Sequence, residues 1–272
     1  MPNCVSCGRE LEPGGYPDNL CPECRARATV QAYEQARRNR PPLIQAMIRV
    51  MPVTSAIIAA NVLVFAAMTF SGVSPSDPQS SDLVRWGANN GVQTLVSQPW
   101  RIWTSNYVHI GIIHILLNMW CLWSLGALAE RIFDKWTYFL TYTCCGIAGS
   151  LASLGFHHDR LGAGASGAIF GLAGALISAF YLGRLPLPPQ ALRSTLKSLV
   201  AFAAYNLFFG AVVPAIDNTA HLGGLVCGLA IGAVLAPRLT SPREEKAAWG
   251  RWVFLLSGLA LVAVFALIRR SV

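Results

Sequence analysis

Residues 162–171 read Gly-Ala-Gly-Ala-Ser-Gly-Ala-Ile-Phe-Gly, and the chain stays free of charge from there to Leu182. The stretch sets one hydroxyl, that of Ser166, among small residues at the start of a run suited to lipid. Gly167, Gly171 and Gly174 give such a helix a surface that a neighbouring backbone can approach closely. The rest of the chain has the same character. Of its 272 residues 54% are hydrophobic and 12% charged, where a soluble domain carries roughly 25% charged. A polytopic membrane protein follows. The net charge of +8 would suggest nucleic acid in a soluble protein; here the basic residues sit in loops and set topology, and no nucleic-acid partner is expected. The first fifty residues are polar and hold no apolar core of the length a cleavable signal needs.

Seven segments have the length and apolarity to cross a bilayer core, which takes about 20 residues of helix. They are Val53–Phe70, Gly111–Leu128, Thr137–Phe156, Gly164–Leu182, Leu196–Val213, Ala220–Ala236 and Trp252–Ile268. The fourth and sixth are the least hydropathic because they are rich in glycine. With the N-terminus in the cytoplasm, all the Lys and Arg residues lie on the inner side except Arg85, Arg101, Arg160, Arg269 and Arg270. That bias places the N-terminus inside and the C-terminus outside. The outer loop between the first two spans carries Trp86, Trp100, Trp103 and Tyr107, aromatics that favour the headgroup level. Trp100-Arg101 reads there as an anchor, indole in the acyl boundary and guanidinium on phosphate.

In this topology the second, fourth and sixth spans all start from the outer side, and their starts carry His114 and Asn118, Ser166, and His221. Polar side chains in membrane helices are costly and mark a protein interior or water. His114 and Asn118, four apart, share one helix face. Gly224, Gly228 and Gly232 follow His221 at every fourth residue and form a stripe for close packing. Packed against the glycines of the fourth span, that stripe brings Ser166 and His221 within reach. A serine beside a histidine is a nucleophile with its general base. The Asn118 amide, the His114 imidazole and the Ser166 backbone N–H are the candidate donors for an oxyanion. Singly each residue has a plain packing role; together, at one end of three helices, they form an active-site pattern. Asp217 reads as a helix cap before the sixth span. His109, His157 and His158 read as outer-loop residues.

The polar head has two CxxC pairs, Cys4/Cys7 and Cys21/Cys24. Four thiolates so spaced suit one tetrahedral, structural zinc. Gly8, Pro13, Gly14, Gly15 and Pro17 supply turns for a short ribbon. Two disulfides would need an oxidising compartment, whereas the topology puts the head in the cytoplasm. Cys121, Cys144, Cys145 and Cys227 lie in apolar runs and read as small core residues. Residues 25–39 form a basic helix stopped by Pro41-Pro42, and with Arg40 and Arg49 read as a linker at an anionic membrane surface.

Four segments together resemble the rhomboid family of intramembrane serine proteases: WRIWTSNYVHIGIIHILLNM at 100–119, GALAERI at 126–132, GAGASGAIFG at 162–171 and DNTAHLGGLVCGLAIG at 217–232. The resemblance implies an all-α helix bundle, a six-helix core plus one C-terminal helix. It implies a catalytic Ser166–His221 dyad that needs no cofactor, with His114 and Asn118 holding the oxyanion and Gly164 shaping the substrate-binding loop. It assigns Trp100, Arg101 and Glu130 to the scaffold, and it places an aromatic, here Phe170 where some members have tyrosine, beside the catalytic histidine. The expected substrates are transmembrane proteins of the surrounding bilayer.

The expected organisation is a zinc-ribbon-like cytoplasmic head at 1–26, a basic linker at 27–50, the core at 51–236, and an inner loop with an extra helix at 237–272. The head is a candidate site for a cytoplasmic partner, and a bacterial inner membrane is the expected location. The alternative function is a non-catalytic relative that binds membrane clients. Such relatives typically lack the serine or the histidine, and both are present here. A transporter would show internal repeats with broken helices, and none is visible.

Overall fold

A computed structural model describes residues 2–12, 18–38, 50–157, 160–214 and 216–271. Pro13, Gly14, Gly15 and Pro17 of the head, Arg40, Pro41-Pro42 and Arg49 of the linker, and His158 lie outside the described residues. The chain divides into two compact units, Met1–Val50 and Met51–Val272.

The first unit is a hairpin followed by a helix. Asn3 pairs with Glu10, Cys4 N–H donates to Arg9 O at 2.7 Å and Leu11 N–H to Pro2 O at 2.8 Å. The turn between them passes through Gly8 at φ 75°, in the left-handed region that favours glycine. Helix α1 spans Pro22–Arg38. It starts three residues earlier than the basic run implies, because Pro22 suits a first helical position and Glu23 complements the helix dipole. Cys24 therefore lies in a helical turn. Arg9 clamps both carboxylate oxygens of Glu23 at 2.9 and 3.0 Å, tying hairpin to helix.

The second unit is helical. Its long helices are α2 (Pro52–Phe70), α6 (Ile112–Ile132), α7 (Lys135–Phe156), α8 (Ser166–Leu182), α9 (Pro189–Val212), α10 (Asn218–Leu235) and α11 (Arg243–Arg270). Between α2 and α6 run three short helices, α3 (Ser80–Arg85), α4 (Gly91–Val96) and α5 (Arg101–Thr104), and strand β1 (Asn89–Asn90). Strand β1 pairs antiparallel with β2 (Leu161–Gly162), Asn89 opposite Gly162 and Asn90 opposite Leu161. All seven expected spans are helices. Six are long and apolar enough to cross a membrane, and α8, at 17 residues, is shorter. It rises roughly 26 Å, below the ~30 Å hydrocarbon core. Its body is central to the bundle: Gly167 to Leu176 are buried without a break, so most of α8 packs on protein, while Tyr181 and Leu182 at its end are exposed. Helices α9 and α11 begin several residues before the apolar runs, so that Arg193 rides on α9 and Lys246 on α11.

Glycine sets the central contact. A Cβ on Gly224 would lie 1.9 Å from Gly167 O, one on Gly228 1.8 Å from Gly171 O, and one on Gly232 2.5 Å from Ala175 O. Both helices ascend through these contacts, so α8 and α10 are parallel and start at the same end. At the other end, Glu130 near the close of α6 accepts from Val53 N–H at 2.8 Å and Thr54 N–H at 2.9 Å. It thereby satisfies two of the unpaired donors that open α2.

The first loop corrects one expectation. Arg101 is buried, and its guanidinium donates to Val84 O at 2.5 Å, Ala88 O at 3.0 Å and Gln98 Oε1 at 2.6 Å. Burial and these three bonds turn the guanidinium into the loop rather than toward lipid phosphate. The side chain also lies over the Trp100 ring, 4.7 Å from its centroid. Arg101 is thus the internal brace of the loop.

Candidate active site and metal centre

Ser166 opens α8 and is half-buried. Ahead of it the chain turns through Gly164 at φ 120°, a conformation L side chains avoid. Gly164 N–H donates to Ser105 O at 2.9 Å. A Cβ there would strike the His114 imidazole, 2.6 Å from Cε1 and 2.8 Å from Nε2. The start of α6 therefore sits against the loop that leads to the serine.

The hydrogen bonds assign the His114 tautomer. Ile110 N–H donates to His114 Nδ1 at 3.3 Å, so Nδ1 is the bare nitrogen and a neutral ring carries its proton on Nε2, the atom beside Gly164. Asn118, buried one turn further along α6, donates one amide hydrogen to His114 O at 2.9 Å and retains a second.

His221 is buried in the first turn of α10. Its ring stacks on Phe170, centroids 4.2 Å apart and planes 16° from parallel. Phe170 is one turn beyond Ser166 on α8 and shares its face. The structure thus gathers Ser166, His221, His114, Asn118 and Gly164 at one end of the parallel α8–α10 pair. Among the described residues no hydrogen bond joins Ser166 to His221, and His221 Nδ1 is buried without a partner. Catalytic hydrogen bonds are often long in the absence of substrate and tighten in the complex.

Asp217 caps α10, accepting from Ala220 N–H at 3.0 Å, and takes a second hydrogen bond from Ser153 Oγ on α7. Its carboxylate is therefore committed to the helix start. His157 faces Thr219 Oγ1 at 3.4 Å, and Arg160 donates to Pro214 O at 2.9 Å. Both tie the loop after α7 to the segment entering α10. His109 lies in the loop segment before α6, as expected, but its side chain is completely buried. Burial and the neighbouring His114 push its pKa down to about 3. The spacing of two histidines five apart in a segment leading to an active-site helix was the only sequence signal for it.

In the first unit, Cys4, Cys7, Cys21 and Cys24 bring their sulfur atoms within 4.8 Å of one another. All four are free thiols, and Cys7 and Cys21 sulfurs are 3.7 Å apart. Four thiolates about 2.3 Å from a tetrahedral zinc stand ~3.8 Å apart, so the cluster fits such an ion with little adjustment. Cys21 N–H donates to Cys4 Sγ at 3.3 Å, and backbone donors led by this one pull the Cys4 pKa down to about 6. Stabilising the thiolate in this way favours a metal ligand.

The comparisons with known proteins agree with this architecture. The Rhomboid domain family model matches residues 96–238. The chain is 34% identical over 211 residues to Rhomboid protease GluP of Bacillus subtilis (strain 168), covering 78% of this chain and 38% of that protein. It is 37% identical over 141 residues to RHOMBOID-like protein 4 of Arabidopsis thaliana, covering 52% of this chain and 35% of that one. Rhomboid protease AarA of Providencia stuartii is 29% identical over 210 residues, with 68% of this chain and 73% of that protein covered. The chain thus spans well under half the length of the first two relatives. The matched region runs from the first loop through the Ser166 and His221 helices to the end of α10, and the chain is a multi-pass membrane protein of the rhomboid intramembrane protease family.

Proposed function

We propose that the protein is an intramembrane serine endopeptidase that cuts peptide bonds in or near the transmembrane segments of other membrane proteins. The observation that carries this reading is the meeting of three helix starts. Phe170 on the serine's face of α8 stacks on His221 of α10, and His114 of α6 lies against Gly164 just before Ser166. In the reaction, Ser166 Oγ attacks the carbonyl carbon while His221 takes its proton. His114 Nε2–H, the free hydrogen of the Asn118 amide and the Ser166 N–H stabilise the oxyanion, the last aided by the dipole of α8. The tetrahedral intermediate collapses, the C–N bond breaks, and His221 passes its proton to the departing amine. Water, with His221 again as base, then hydrolyses the acyl-enzyme and restores Ser166. Helices α6 and α9 and the segment before α10 are the candidate gates for the substrate helix, by analogy with the fold.

The four cysteines would hold a structural zinc in the head, which supplies folding free energy and no catalytic chemistry. With it we propose the organisation expected from the sequence: head at 1–26, linker at 27–50, catalytic core at 51–236, and a final loop and helix at 237–272. The distribution of Lys and Arg supports a cytoplasmic N-terminus and an outer C-terminus, and a bacterial inner membrane is the location proposed with them.

Cleavage of a single-span substrate in detergent by wild type, Ser166→Ala and His221→Ala tests the dyad. Both variants should be inactive, and a fluorophosphonate probe should label Ser166 in the wild type. Cleavage by either variant at the wild-type rate would refute the assignment.

A further inference from the structure

We propose that His109 is a positioning residue for the nucleophile: its imidazole, in the Nδ1–H form, holds the Ala165 peptide that sets the backbone of Ser166. The inference rests on the Ser166–His221 reading. His109 is 0% exposed, so both ring nitrogens need partners from within the protein. Nδ1 lies 3.3 Å from Tyr107 O. A carbonyl only accepts, so Nδ1 carries a proton. Nε2 lies 3.5 Å from Ala165 N. A backbone N–H only donates, so Nε2 is bare. One protonated and one bare nitrogen make a neutral ring of defined tautomer. A second proton would set N–H against N–H in a place water does not reach.

The held group matters because of where it is. Ala165 is buried and immediately precedes α8. Its N–H is among the donors at a helix start that have no partner within the helix. With His109 taking it, the Gly164–Ala165 peptide plane is fixed from one side, one peptide ahead of the plane that carries Ser166 N–H, while Gly164 N–H on Ser105 O fixes the Ala163–Gly164 plane. The same ring lies 5.2 Å from the His114 ring, whose proton is on the opposite nitrogen. Two imidazoles five residues apart thus divide the work. His114 presents a donor beside Gly164, and His109 fixes the main chain leading to the serine. The titratable group facing His109 is His114 at the start of α6; Tyr107 meets it through its backbone carbonyl, and the adjoining start of α8 carries no charged residue.

The test uses the full chain in detergent. In His109→Asn the amide keeps a donor near the Nδ1 position and loses the acceptor at Nε2. In His109→Gln the longer amide can place its oxygen near Nε2 and accept from Ala165. Both are assayed below their thermal midpoints for kcat, KM and the rate of fluorophosphonate labelling at Ser166. The expected result for His109→Asn is a fall of about 10- to 100-fold in kcat and in labelling, with KM within about threefold, since a ~1 Å misplacement costs on that scale. His109→Gln should recover most of the loss. Wild-type labelling in His109→Asn, or equal losses in both variants that follow their midpoints, would overturn the assignment. If neither variant folds, ¹⁵N spectra of the wild-type imidazoles decide. An Nδ1–H ring that does not titrate between pH 8 and roughly pH 5 supports the proposal, and an Nε2–H ring or a midpoint near the ordinary histidine value overturns it. Failure of the wild type to label at Ser166 would instead remove the dyad reading beneath it.

Discussion

Gly228→Ala tests the central packing without touching the site. A Cβ there would lie 1.8 Å from Gly171 O and 2.6 Å from its carbonyl carbon. Both obstacles are helix backbone, so no rotamer change relieves them. A carbon–oxygen contact needs roughly 3.3 Å, and α8 and α10 must separate or slide by about 1.5 Å to supply it. Overpacking of this kind costs ~1–3 kcal/mol of stability. The displacement also carries His221 relative to Ser166, and a shift of ~1 Å costs on the order of 100-fold in rate. The expected outcome is a kcat/KM for a single-span substrate at least tenfold down, with a lower thermal midpoint in the same detergent. The control is Gly258→Ala on α11, where a Cβ meets nothing within 4 Å and both measurements should match the wild type. Wild-type activity in Gly228→Ala, or equal losses in the two variants, would refute the claim that backbone contact between α8 and α10 sets the serine–histidine geometry.

Phe170→Leu keeps an apolar side chain under His221 and loses the stack, worth ~0.5–1.5 kcal/mol; kcat should fall about 3- to 10-fold with little change in midpoint. Glu130→Ala leaves two opening N–H groups of α2 without their acceptor and should cost ~1–2 kcal/mol, read as a lower thermal midpoint that Glu130→Gln partly restores. For pH, His109 has its pKa lowered to about 3 when folded and an ordinary value near ~6.5 when unfolded. The unfolded chain therefore binds the extra proton first. The stabilisation is complete above about pH 6.5 and declines by up to ~1.4 kcal/mol per pH unit below it. The difference in unfolding free energy between wild type and His109→Gln should shrink accordingly from pH 7 to 4.5, and parallel pH profiles would refute the burial argument. A chelator strong enough to strip zinc should expose the head to protease and release four titratable thiols, while cleavage by the Met51–Val272 unit continues.

The spans were legible because their signal is local: each is an apolar run bounded by charge, and lipid demands length. The partner of α8 was legible for a different reason. Gly224, Gly228 and Gly232 recur at helical spacing, and a stripe with no side chains has few uses besides backbone contact. Ser166, His221, His114 and Asn118 were found as polar exceptions in apolar runs. What stayed hidden depends on contacts far apart in sequence. Arg101 looked like a lipid anchor because its neighbours are interfacial aromatics, and only the folded loop brings Val84 O and Ala88 O to its guanidinium. His109 is a loop residue whose burial was hidden, because it arises where the segment before α6 meets the one before α8. The length of α8 was hidden too, since a window of apolar residues does not reveal that other helices surround it.

Glu130 has a consequence for the order of assembly. The N–H groups it accepts belong to residues 77 and 76 positions earlier, so the first hydrophobic segment leaves the ribosome long before its acceptor exists. At ~5–20 residues per second the delay is roughly 4–15 s. During that interval the opening turn of α2 must borrow hydration or lipid headgroups. Docking of the nascent first segment is thereby deferred until the second has been threaded, which makes the α2–α6 pair a checkpoint in biogenesis.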